Sequence, residues 1–144
     1  MPVRAGLALR IAPRARHFDD HRTVKLAIIP VTAFQQNCSL VICPRTNRAA
    51  FVDPGGEPDR LFEQLHKRGA TLEKVLVTHG HIDHCGAVAE VAERAGVPIE
   101  GPHPDESFWI DQLDQQGRMF GVPGARRFTP DRWLQGGDEV TVGE

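Results

Sequence analysis

Thr78-His79-Gly80-His81-Ile82-Asp83-His84 places three of the chain's seven histidines and an aspartate within six positions, as H-x-H-x-D-H. At the His and Asp frequencies of this chain, chance would produce that pattern in roughly one chain in a thousand. Imidazole and carboxylate together favour Zn, Fe or Mn over Ca or Mg. At the end of a strand, residues i and i+2 project to the same side, about 6.6 Å apart. A tight turn brings such a pair onto one ion, so His79 and His81 pair on a first cation. Asp83 and His84 lie past the turn and can serve a second. Two ions about 3.5–4 Å apart can share a hydroxide that attacks an acyl carbon. Asp83 is taken as the catalytic carboxylate as well as a ligand.

A solvated histidine-rich loop would not need this regular spacing. A zinc-finger site is disfavoured further, because no second Cys/His pair follows at the usual interval. His103, in Gly101-Pro102-His103-Pro104, reads as a surface or N-cap residue before a proline-started helix rather than as a ligand. A catalytic zinc takes about three protein ligands plus water. The cluster offers each of two ions only a pair.

The elements that must position this cluster can be read from the hydrophobic pattern. Val24 to Val31 is β-rich and nearly continuously apolar. Asn37 to Cys43 puts Cys38, Leu40 and Ile42 on one face. A turn at Pro44-Arg45-Thr46-Asn47 leads to a third strand, Arg48 to Val52, so the chain begins as an antiparallel meander. Asp53-Pro54-Gly55-Gly56 stops that strand. A helix from Pro58 to Arg68 carries Leu61, Phe62 and Leu65 inward and ends at Gly69. Leu72 to Thr78 reads as a strand covered on both faces. The metal-type cluster begins at its C-terminal end. A helix over about Ala87 to Ala95 follows, capped by Gly96, then a short strand at Pro98-Ile99. A third helix is expected from Pro104 to Gly117, with Phe108, Trp109 and Leu113 as its apolar bulk. Asp138 to Val142 reads as the opening of a further strand. The class is α/β, with the candidate ligands at strand C-termini, where open α/β sheets place their sites.

The 144 residues suit one domain. The net charge of −2 gives no case for nucleic acid or an anionic membrane surface. Residues 1–24 carry five Arg against Asp19 and Asp20, a local +3 that leaves −5 for the rest. This start reads as an Arg-rich, disordered extension rather than a secretory leader. No apolar run approaches a membrane span. Cys38, Cys43 and Cys85 form no disulfide framework. Cys38 and Cys43, about 16 Å apart on opposite faces of one strand, are too distant to bridge. A reducing cytoplasm fits, and Cys85 reads as a small buried residue.

At this point the sequence resembles the metallo-β-lactamase superfamily, and within it the single-domain glyoxalase II-like hydrolases. The stretches that carry the resemblance are Ile29 to Cys38, Val52-Asp53-Pro54-Gly55-Gly56 and Thr78 to His84. Gly101 to Gly121 and Thr129 to Leu134 also fit that subgroup. The resemblance covers residue 25 to the end. It implies an αβ/βα sandwich with the site at one edge. It implies His79 and His81 on a first metal, Asp83 and His84 on a second, and Asp53 as a group that orients the metal loop without touching an ion. The implied reaction is hydrolysis of a small-molecule thioester, such as a hydroxyacylglutathione, by a metal-bound hydroxide.

The family pattern continues past a strand like Glu139 to Val142 into a Pro-Gly-His-Thr-type loop bearing a third ligand, then a bridging Asp and a final His. These are absent here. The expectation is therefore an N-terminal half of the fold, with residues 25–144 an incomplete domain and one sheet face left as an apolar patch suited to self-association. Three readings compete: a metal-dependent acyl hydrolase or its front part, a catalytically inactive truncated metal-binding half-domain, and a product that does not fold alone. The same quartet also serves lactonases, β-lactamases, nucleases and mononuclear-iron sulfur oxygenases.

Overall fold

The computed structural model describes residues 23–144. The expectation for the Arg-rich start lies almost wholly outside the described residues. One sheet runs β1 (Lys25–Val31), β2 (Gln36–Ile42), β3 (Arg48–Val52), β4 (Thr71–Leu76) and β5 (Ile99–Glu100), its strands side by side in chain order. β1, β2 and β3 pair antiparallel, as the meander predicted. β3, β4 and β5 pair in parallel. The parallel connections are the helices α1 (Pro58–Lys67) and α3 (Val88–Ala95).

Alternation along each strand sends one set of side chains under these helices. Val31, Cys38, Leu40, Phe51 and Val75 meet Leu61, Leu65, Val88 and Val91 in a single buried core. Phe51 is fully buried at the centre of it and stands edge-on to Phe62 of α1.

The opposite face departs from expectation. Leu26 and Ile28 on the edge strand are 62% and 50% exposed, as an uncovered apolar face requires. Val41, Ala50 and Leu76 on the same face are nonetheless buried. The segment following residue 131 is tied to this side of the sheet at two points. Arg132 reaches Glu100 at 3.8 Å and donates to the Glu139 carbonyl at 3.0 Å. Gly143 donates its N–H to Glu73 at 2.8 Å and packs on Cys43. Beneath this segment Lys74 and Glu100 form a buried ion pair at 3.2 Å. The apolar patch is thus confined to the β1 edge.

Three further expectations are corrected. Asp138 to Val142 is not a strand: its backbone is irregular, with Asp138 closing a turn onto the Gln135 carbonyl. The expected third helix is a 3₁₀ turn (Pro104–Glu106) followed by α4 (Ser107–Asp111) and α5 (Leu113–Phe120), broken at Gln112. Ile110 and Leu113, on either side of the break, both lie in the core. The site stretch also contains a single helical turn, α2 (Ile82–Cys85), where a loop was expected. All three cysteines are free and buried. No helix among the described residues is long and apolar enough to cross a membrane.

Phe51→Ala should cost about 3–5 kcal/mol, the usual penalty for emptying a core aromatic site. Urea unfolding of the two chains checks this, and a loss below about 1 kcal/mol would contradict the assigned core.

Candidate metal centre

The site is built where β3 and β4 end. Their parallel register sets Val52 beside Leu76, and Asp53 donates its N–H to the Leu76 carbonyl at 2.9 Å. The residue after each strand end is therefore brought to the same point. Asp53 sits there, buried, in the left-handed region at φ 54°. Aspartate tolerates that conformation better than most residues.

The Asp53 carboxylate organises the rest. Its Oδ1 accepts the Thr78 backbone N–H at 2.7 Å. Its Oδ2 accepts the Thr78 hydroxyl and lies 2.9 Å from His84 Nδ1. A carboxylate can only accept, so His84 donates from Nδ1–H and keeps a lone pair on Nε2. That Nε2 faces Asp83 Oδ2 at 3.4 Å. Gln36 approaches the same His84 Nδ1 at 3.3 Å with its amide nitrogen. Because both nitrogens are donors, that contact is packing rather than a second hydrogen bond.

Of the four predicted ligands, His79 and His84 share one compact group of ligand atoms, and its third member is Asp53; His81 is joined to that group only through the His79 ring and Asp83 only through His84. The rings of His79 and His84 have centroids 3.9 Å apart, and those of His79 and His81 4.8 Å apart. His79 and His81 do not project from a strand, as the spacing argument supposed: β4 ends at Leu76 and both lie in the loop beyond it. Asp83 and His84 come from α2, whose helical turn carries them back beside His79. One ligand atom each from Asp53, His79 and His84 lies within 4.8 Å of the others. His103 is an N-cap, with Nδ1 accepting the Asp105 N–H at 3.0 Å.

Two glycines allow α2 to seat. A Cβ on Gly55 would lie 1.9 Å from the Asp83 carbonyl oxygen, and one on Gly86 would lie 2.2 Å from the Gly55 carbonyl oxygen. Ala87 donates to the Pro54 carbonyl at 2.9 Å, closing the same contact. Cys85 is buried and donates its thiol to the His79 carbonyl at 3.1 Å. Burial first, then the nearby Asp53, Asp83 and Glu106 charges, keep that thiol far above its ordinary range. It therefore stays protonated and structural.

The electrostatics separate the two central histidines. Burial, followed by the charge of His84, holds His79 below the ordinary imidazole value despite Asp53 and Glu106. Burial also pushes His84 down, but the Asp53 hydrogen bond and the Asp53 and Asp83 charges outweigh it, and the net shift is upward. A neutral imidazole with a free nitrogen is the form that takes a metal; the His79 shift favours that form, and the grouping of imidazole and carboxylate donors fits a divalent cation.

Three contributors were given no individual role in the site by the sequence reading. Thr78 touches both Asp53 and His79, the latter at 2.9 Å. Gln36 packs on His84, although it lies far away in the chain. Trp109, expected only as apolar bulk, stands edge-on to His81 with centroids 5.0 Å apart. A hydroxyl immediately before the first histidine was the one visible hint, for Thr78.

The metallo-beta-lactamase superfamily matches residues 31–144, and the chain belongs to it. Among curated relatives, the hydroxyacylglutathione hydrolase GloC of Haemophilus influenzae is 42% identical over 117 residues, covering 81% of this chain and 55% of GloC. The probable metallo-hydrolase YqgX of Bacillus subtilis is 29% identical over 117 residues, covering 80% of this chain and 54% of YqgX. Of solved structures, the BLEG-1 B3 metallo-beta-lactamase superposes with a TM-score of 0.69 at 29% identity, over 83% of this chain and 57% of its own. TTHA1623, crystallised in a di-iron-bound form, gives 0.67 at 26% identity, over 79% of this chain and 56% of its own. The chain thus spans about half the length of the curated relatives it matches. Its sheet and helices correspond to an N-terminal half of the metallo-β-lactamase fold.

Gly55→Ala should destabilise the chain by about 1–3 kcal/mol, because the new methyl must push α2 away. Denaturant unfolding checks the cost, and a neutral result would place α2 elsewhere. A pH test follows from His84. Its raised folded value means that its pairing with Asp53 stabilises the metal-free chain below the ordinary value of 6.5 and is lost as pH rises through the higher folded value. The unfolding midpoint of the metal-free chain should fall across the window just above 6.5, and Asp53→Asn should flatten that fall. An equal slope in the variant would contradict the assignment.

Proposed function

We propose that this chain is the metal-gripping half of a metal-dependent hydrolase that cleaves a thioester of the hydroxyacylglutathione type. The observation that carries the reading is the convergence of His79, His81 and His84, with Asp83 against His84, beside the C-terminal ends of β3 and β4. The likeness to GloC, named as a hydroxyacylglutathione hydrolase, supports the substrate class. The likeness to TTHA1623, seen with two irons, supports a two-cation site.

We assign His79 and His81 to one cation and Asp83 and His84 to a second, with Zn, Fe or Mn as the metals that suit this donor set. Asp53 is close enough to ligate. Both its oxygens are already spent on Thr78 and His84, so we assign it the anchoring role. The cations, when bound, supply Lewis acidity at the acyl carbonyl and make water a nucleophile near neutral pH.

The chain's own residues supply position and protonation. Burial keeps His79 neutral, so its lone pair is free for the metal. Asp53 takes the Nδ1 proton of His84 in a hydrogen bond, which fixes the ring and turns Nε2 toward Asp83. Trp109 closes one side of His81 with an apolar edge. Asp83, partly exposed beside His84, is the carboxylate we assign to orient the attacking water.

One observation favours a second reading, in which the chain binds metal without turnover. The cluster gives each of two cations a pair of ligands, against the three or so protein ligands of a catalytic zinc. Metal analysis of the pure chain, with hydrolysis of a hydroxyacylglutathione thioester followed after loading with Zn, Fe or Mn, separates the two. The proposal expects bound metal, measurable turnover, and loss of both in His79→Ala. Metal without turnover would favour the inactive half-domain. Neither metal nor turnover would remove both readings.

A further inference from the structure

We propose that Thr78 is a positioning residue that sets the tautomer of His79. The backbone N–H of Thr78 binds Asp53 Oδ1 at 2.7 Å, and its hydroxyl binds Oδ2 of the same carboxylate. This two-point grip, on a β-branched side chain with few χ1 choices, fixes where the hydroxyl oxygen lies. The carboxylate can only accept, so the hydroxyl hydrogen goes to Asp53. At the 2.9 Å contact with His79 Nδ1, the hydroxyl oxygen is therefore the acceptor, and His79 carries its proton on Nδ1.

Asp53 Oδ2 thus holds two rings. It orients His84 directly and His79 through one hydroxyl. Both imidazoles keep their protons on Nδ1 and their lone pairs on Nε2. For His79 this runs against its intrinsic preference, since a free histidine side chain in water favours the Nε2–H form. A His79 in that form would have its outer nitrogen blocked by a proton. Hydrogen-bonding partners of this kind typically change metal affinity 10–100-fold when removed.

The part of this inference that concerns affinity rests on the metal reading above; the part that concerns the ring does not. The test therefore has two arms on the full chain. In the first, ring-nitrogen chemical shifts of metal-free protein report the His79 tautomer. Wild type and Thr78→Ser should show His79 protonated on Nδ1. Thr78→Val should shift His79 toward Nε2–H while amide shifts across the core stay in place. Thr78→Ala removes the hydroxyl without setting a methyl against the Asp53 carboxylate and should give the same shift. In the second arm, zinc is titrated against a chromogenic chelator. The two variants lacking the hydroxyl should bind about tenfold more weakly or worse, with Thr78→Ser close to wild type. An Nε2–H His79 in wild type, or an unchanged tautomer in both Thr78→Val and Thr78→Ala, would overturn the proposal. Weak zinc binding by wild type alongside the expected tautomer shifts would count against the metal reading and leave the role of Thr78 standing.

Discussion

One buried carboxylate holds the site together. Asp53 accepts three hydrogen bonds, two from Thr78 and one from His84. A buried anion is costly unless its lone pairs are met. Here they are met by the groups whose geometry the site needs. The same interaction ends β3, ties the loop after β4 to it, and orients an imidazole on α2. Removing the carboxylate would leave Thr78 and His84 without acceptors and the loop without an anchor.

That anchor works because the backbone brings its partners into reach. The parallel pairing of β3 with β4 sets the two strand ends level. The close approach of α2 to the Pro54–Gly55 backbone, possible only without a Cβ at Gly55 and Gly86, returns the chain toward Asp53 after it has passed through His79 and His81. The helix-packed core behind the sheet supplies a rigid base. The site is thus a loop and one helical turn clamped between two strand ends, rather than ligands displayed along a strand.

The sequence made much of this legible. Hydrophobic runs bounded by turn residues located all five strands and the helices α1 and α3 to within about two residues, because burial on one or both faces imposes a pattern that composition alone can carry. The density of His and Asp marked the site. Other features were not legible. Pro104 to Gly117 has continuous helical periodicity, yet the helix is interrupted at Gln112, where no glycine or proline marks a break. Asp138 to Val142 alternates like a strand, yet among the described residues no strand pairs with it. The roles of Thr78, Gln36 and Trp109 depend on contacts between distant segments or on a single hydroxyl. Such contacts leave no period to read.

The central claim is that the side chains at 79, 81, 83 and 84 grip cations together. Anomalous diffraction from crystals of the chain grown with zinc tests it most directly. The account predicts peaks bounded by His79, His81, Asp83 and His84, with Asp53 turned toward Thr78 rather than toward the metal. Peaks at other side chains, or none at this cluster under saturating zinc, would contradict it.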